Sequence, residues 1–280
     1  MIKYLVCICS KGYAVKQRSL RIGKINYTNL FPIFSMLEKV ADCSAYEFTE
    51  GVPSAVNRLL REGKIDVSPS SSIEYLRHEA SYTLLDGHSI SSFGPIRSIF
   101  LFSTTPIEKL NGLTVLASSQ SETSVALLDI TLRKFYGFNC LLKSSDEPLA
   151  GAMKSHSAYL LIGDDAMREA RRESRFHVYD LAAIWYTHTG LPFVFALWIA
   201  RNDCYMKTPS LLKRFVKDLD QAKDRALRNL EVIARESPML PVLSEEDLVS
   251  YWKGISYDFN DDHRKGLLLF RKYAEELNLI

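Results

Sequence analysis

Short apolar runs alternate with amphipathic stretches along most of this chain, and that alternation restricts the fold more than any other feature. Runs at 20–25, 45–49, 65–68, 98–103, 114–117, 140–143, 158–162 and 193–199 are bounded by turn residues and read as strands. Between them, 52–62 carries Val52, Val56, Leu59 and Leu60 on one side and stops at Gly63. Residues 123–136 place Val125, Leu128, Leu132 and Phe135 at spacings of three and four and stop at Gly137. Strands that alternate with helices pair mainly in parallel, because a parallel connection needs a crossover of helical length. The expected class is therefore α/β. The tail breaks the rhythm, with two helices expected at 209–236 and 261–277 and no strand between them.

Two runs stand apart. "SIFLFS" (98–103) and "FVFALWIA" (193–200) are apolar at successive positions, the pattern of a strand buried on both faces. The material between them is itself a set of strand and helix units. This predicts two lobes, one built from 20–102 and 195–280, the other, 103–194, inserted between two strands that cross from lobe to lobe. Residues 1–19 are expected to be an extension ahead of the first strand. Gly94-Pro95 and Gly190 to Pro192 punctuate the backbone at the crossings and suit hinges. A ligand is expected in the cleft between the lobes.

Composition removes several function classes. With 280 residues, 47% of them hydrophobic, the chain fills two cores. Its 35 basic residues nearly balance 33 acidic ones and form no basic stripe, which argues against nucleic acid. No apolar run is long enough to span a bilayer, and the apolar stretch near Met1 is shorter than the core of a signal peptide. Cys7, Cys9, Cys43, Cys140 and Cys204 lack the paired spacing of a zinc site and read as reduced thiols of a cytoplasmic protein. His78, His88, His156, His177, His188 and His263 show no ligand or triad spacing, so no metal is expected. Trp185, Trp198 and Trp252 read as core.

What remains is a regularity at the strand ends. "NYTN" (26–29), "SPSSS" (68–72), "SSQSETS" (118–124) and Gly163-Asp164 each follow a strand. In open α/β sheets ligands lie beyond the carboxyl ends of the strands, where hydroxyls and the free N–H groups of the next helix point. A single Ser, Thr or Asn there is explained by helix capping alone. Four such turns converging on one cleft point to a ligand, and the helix starts at Ser70 to Ser72 and Thr123-Ser124 suit carboxylates. Arg97 is either a carboxylate partner or an ordinary solvated side chain. Glu122 and Asp164 are candidate bases, though the helix dipole explains an acidic first turn equally well.

In order, "RIGKINYTN", "REGKIDVSPSSSIEY", "SSFGPIRSIFLFS", "SSQSETSVALL", "AYLLIGDDA" and "WYTHTGLPFVFALWIAR" resemble the chorismate dehydratases of the futalosine route to menaquinone. The likeness covers roughly residues 20–280. It implies a two-lobed, periplasmic-binding-protein-like fold of the second type. It also implies loss of water from chorismate to give 3-[(1-carboxyvinyl)oxy]benzoate, with no metal or organic cofactor. By motif, Asn29 would bond the substrate near the reacting centre and Ser98 would hold a ring or side-chain oxygen. Thr123 and Ser124, with Ser71 and Ser72 from the other lobe, would receive carboxylates, and Gly163 and Asp164 would close the far wall. The family is thought to let the substrate's own enolpyruvyl carboxylate take the proton. It usually has serine at position 26 and leucine at 28, so the pocket beside Asn26 and Thr28 is expected to differ. Two alternatives stand beside this reading. The sister family that makes dihydroxynaphthoate usually carries a histidine–acid pair where Gly163-Asp164 stands. A solute-binding or sensor protein would close on a small carboxylate and leave it unchanged.

Overall fold

The computed structural model describes residues 19–172 and 175–280, so the expected extension lies outside the described residues except for Ser19. The first half of the chain runs β1 (Leu20–Ile25), α1 (Phe31–Val40), β2 (Tyr46–Gly51), α2 (Pro53–Arg61), β3 (Val67–Ser71), α3 (Ser72–Arg77), β4 (Tyr82–Ser92), β5 (Ile99–Ser103), β6 (Thr114–Ser118) and α4 (Glu122–Ile130). The second half runs β7 (Leu141–Ser145), α5 (Leu149–Ala152), β8 (Ala158–Ile162), α6 (Gly163–Arg171), β9 (His177–Asp180), α7 (Leu181–Thr189) and β10 (Phe193–Arg201). Five helices follow: α8 (Asn202–Lys207), α9 (Pro209–Arg228), α10 (Leu230–Ala234), α11 (Glu245–Lys253) and α12 (Asp261–Glu276).

The strands form two five-stranded sheets of matching design, β2-β1-β3-β10-β4 and β7-β6-β8-β5-β9. In each, three strands run parallel and the fourth position is filled by an antiparallel strand, β10 in the first and β5 in the second. These are the two runs whose apolar character is continuous. Both are paired on both edges, and only Phe100 and two positions of β10 escape full burial. The lobe boundaries expected at 102/103 and 194/195 fall inside β5 and β10, each of which belongs undivided to one sheet. The chain passes between sheets through 93–98 and again through α7 and 190–192.

Alternation within the second sheet sorts its side chains between two cores. Leu101, Val115 and Leu160 join a large cluster that continues through the first sheet, where it includes Ile22, Val67 and Trp198. Phe102, Leu116 and Leu161 face a smaller cluster under α5 and α6 with Leu149 and Ala166. Trp185 lies at the seam between sheets, its ring 5.1 Å from Phe193 and 6.4 Å from Phe270, which bonds α7 to β10 and α12 by aromatic packing. Gly266 lets α12 lie against the crossing, since a Cβ there would sit 2.1 Å from the Pro192 carbonyl oxygen. No described helix is long and apolar enough to cross a membrane.

Candidate active site

The turn after β1 is held from behind by the C-terminal segment. Trp252 Nε1 donates to the Thr28 carbonyl at 2.7 Å and the Tyr257 hydroxyl donates to the Asn29 carbonyl at 2.7 Å. From the other sheet, Asp164 accepts the Thr28 N–H at 3.0 Å. The Tyr27 hydroxyl bonds Gln120 Oε1. Gly163 takes a left-handed φ of 63°, and a Cβ there would stand 2.8 Å from the Tyr27 ring. Glycine is therefore required at 163 both by backbone shape and by the approach of the opposite lobe.

These contacts enclose a small cavity of about 60 Å³ between the sheets. Its polar lining is Tyr27, Asn29 and Ser71 from one side and Ser98, Ser121, Ser124 and Gly163 from the other. Its apolar lining includes Ile25, Ile90, Ile96, Ile162 and Phe195. Among the described residues, no charged side chain lines it. Asn29 Oδ1 is shut away from solvent with no hydrogen-bond partner, an arrangement that folding alone does not reward. Ser124 N–H is taken by Ser121 Oγ at 3.2 Å, which caps α4 and leaves both hydroxyls, 3.0 Å apart, at the start of that helix. Ser98 is anchored through its backbone, whose carbonyl accepts the Gly163 N–H at 2.7 Å, and Tyr251 stands beside its side chain. Burial pushes the Tyr251 phenol far above its ordinary value, so it stays neutral.

The structure thus gathers Asn29, Ser71, Ser98, Ser124 and Gly163 around one hollow. The other expected residues lie elsewhere. Ser72 Oγ donates to the Val194 carbonyl at 2.6 Å, Thr123 Oγ1 accepts the Ile73 N–H at 3.0 Å, and neither residue lines the cavity. Asp164 stands behind the turn, where burial raises its carboxyl despite the Thr28 donors. Arg97 adopts a left-handed φ of 59°; its N–H donates to Asp180 at 2.6 Å and its Nη1 to Ser250 at 3.0 Å, along an outer groove rather than the cavity. The Arg97 side chain therefore lies outside the cavity lined by Asn29 and Ser71. Asn26 bonds Glu50 Oε2 at 2.7 Å in an outer hollow shared with Thr28, so the two departures from the family pattern do not line the cavity.

Ser121 was not among the expected residues, although a serine followed directly by Glu122 is a readable N-cap. Among the described residues, no three His, Cys, Asp or Glu side chains gather closely enough to hold a metal ion.

A family model described as menaquinone biosynthesis matches residues 20–276. The chain is 30% identical over 280 residues to a chorismate dehydratase of Thermus thermophilus, covering 92% of this chain and 95% of that one. It is 30% identical over 205 residues to a chorismate dehydratase of Campylobacter jejuni, covering 72% of this chain and 74% of that one. Among solved structures it resembles a protein of Archaeoglobus fulgidus with a TM-score of 0.77 at 17% identity, covering 94% of this chain and 98% of that one. It also resembles the periplasmic aliphatic sulphonate binding protein of Escherichia coli, with a TM-score of 0.64 at 17% identity, covering 94% of this chain and 88% of that one. These two likenesses bear on the fold, which is that of the periplasmic binding proteins. The chain belongs to the menaquinone biosynthesis family.

Proposed function

We propose that this protein is a chorismate dehydratase, a hydro-lyase that acts by positioning its substrate. The observation that carries the reading is the convergence of Asn29, Ser71, Ser98 and Ser124 on one cavity, with the Asn29 side-chain oxygen still unpaired. Chorismate is a cyclohexadiene ring acid with two carboxylates, an ether and a hydroxyl, which suits apolar walls studded with neutral hydrogen-bonding groups.

Dehydration breaks the C–H bond at the ether-bearing ring carbon and the C–O bond of the neighbouring hydroxyl. The electrons of the C–H bond become the last ring double bond, and the departing hydroxyl takes a proton to leave as water. Aromatisation drives the step, so orientation and directed hydrogen bonds supply most of what a catalyst must. Asn29 holds the reacting end, Ser98 braces an oxygen, and Ser71 and Ser124 receive carboxylates. With no charged side chain on the cavity wall, the proton passes to the substrate's own enolpyruvyl carboxylate. The lobes correspond to the two sheets, hinged at 93–98 and 190–192. The cavity, about 60 Å³, is far smaller than the several hundred Å³ that drug-sized ligands occupy, so the lobes part to admit the substrate. The cytoplasm is the expected compartment, where the thiols of Cys43 and Cys140, unbridged among the described residues, would stay reduced.

Incubation with chorismate tests the assignment: a product lighter by one water with a new aromatic absorbance is expected. Binding without turnover would instead establish a carboxylate sensor.

A further inference from the structure

Asn57 is fully buried on α2, with no exposed surface at all. A buried amide is retained only where its groups are paired, and both of its partners belong to one residue. Asn57 Oδ1 accepts the Ser71 backbone N–H at 3.3 Å, and Asn57 Nδ2 lies 2.7 Å from Ser71 Oγ.

The chemistry of these atoms leaves one arrangement. A backbone N–H only donates, so the amide atom facing it is oxygen. The other amide atom is therefore the NH2 group, which has no acceptor capacity, and the Ser71 oxygen must accept from it. A serine hydroxyl carries a single hydrogen, which then points away from Asn57. Ser71 immediately precedes α3, where a serine ordinarily turns its oxygen onto the helix N–H groups. Here it makes no such bond, and the Ile73 N–H is satisfied by Thr123 instead. Ser71 is also one of the residues that line the cavity.

We propose that Asn57 is a positioning residue, which holds the Ser71 hydroxyl off the helix and aims its hydrogen into the cavity as a ready donor to a substrate carboxylate. The inference rests on the dehydratase reading above. Accepting one hydrogen bond polarises the hydroxyl that donates the next, and a donor aimed in advance needs no rearrangement when the substrate arrives. Without Asn57, Ser71 reverts to capping α3 and the donor leaves the cavity.

A double-mutant cycle on chorismate turnover tests this, with thermal melts to confirm folding. Ser71→Ala is expected to raise KM about tenfold, the scale of one hydrogen bond to a charged group, with a smaller change in kcat. Asn57→Leu and Asn57→Ser are expected to raise KM by about threefold to tenfold in the natural background. In the Ser71→Ala background each should change kcat/KM by less than about threefold. Losses that multiply in full, or Asn57 variants that keep the natural KM, would overturn the proposal. Asn57→Ser, which adds no bulk, decides the matter if Asn57→Leu does not fold. An unmutated protein that leaves chorismate unchanged would refute the dehydratase reading itself, whereas an active one with multiplying losses refutes only the role of Asn57.

Discussion

Asn29 Oδ1 occupies a buried place with nothing to bond. Truncating such a group breaks no hydrogen bond to that oxygen, so Asn29→Ala should leave the melting temperature within a degree or two while turnover falls by about ten- to a hundredfold. A parallel loss of stability and activity would show that the side chain serves the fold. Gly163 makes the opposite prediction. Gly163→Ala forces a Cβ against the Tyr27 ring and holds an L-residue in the left-handed region at about 1–2 kcal/mol. Stability and kcat/KM should therefore fall together, the latter about tenfold or more, because Tyr27 lines the cavity and bonds Gln120 of the other lobe. Denaturant midpoints beside steady-state kinetics measure both.

At the scale of elements, the turn after β1 depends on a segment more than two hundred positions away along the chain. Tyr257→Phe leaves the Asn29 carbonyl without its donor, a cost of about 1–3 kcal/mol, and slackens the turn that presents Asn29. A fall in kcat accompanied by a lower urea midpoint is expected, and an unchanged midpoint would show that the turn stands without Tyr257. Much of the framework was legible from residue pattern. β1, β5, β10 and α12 fall where apolar spacing and caps put them, because each buries a continuous face. β4 was not legible: "YTLLDGHSISS" contains Asp86-Gly87, which reads as a turn, yet Gly87 bends within an edge strand whose pairing with β10 shifts register twice. The expected helix at 209–236 breaks at Asn229, and α11 was missed. In the site, strand-end polar runs showed which turns converge, but the direction of each hydroxyl depends on tertiary partners. Thr123 and Ser124 are neighbours in sequence, yet one ties the lobes together and the other lines the cavity. Asn57 gave no signal at all, since only the packing of α2 on β3 brings it to Ser71.

For the whole molecule, the contacts across the cleft govern how far the lobes part. The Ser54 N–H donates to the Gln120 carbonyl at 3.2 Å, Arg77 pairs with Glu122, and Asp164 holds Thr28. Asp164 makes the stability of the fold sensitive to pH. Burial raises its carboxyl, so below the ordinary value of 3.8 it is protonated in folded and unfolded chains alike and costs nothing. As pH climbs from there through the raised value, the unfolded chain ionises first and the closed molecule loses stability. Asp164→Asn keeps an oxygen for the Thr28 N–H without the charge, so its melting temperature should exceed the natural one by a margin that widens across that window and then levels off. A margin that narrows with rising pH would contradict this. The nested strand order has a consequence for biosynthesis too. As the chain leaves the ribosome, β5 to β9 arrive in an unbroken series and complete their sheet, whereas β4 waits for its partner strand β10, which ends at residue 201, and for Ser256 and Tyr257, which pair with its other edge later still. The inserted half is thus finished before the half that encloses it in sequence.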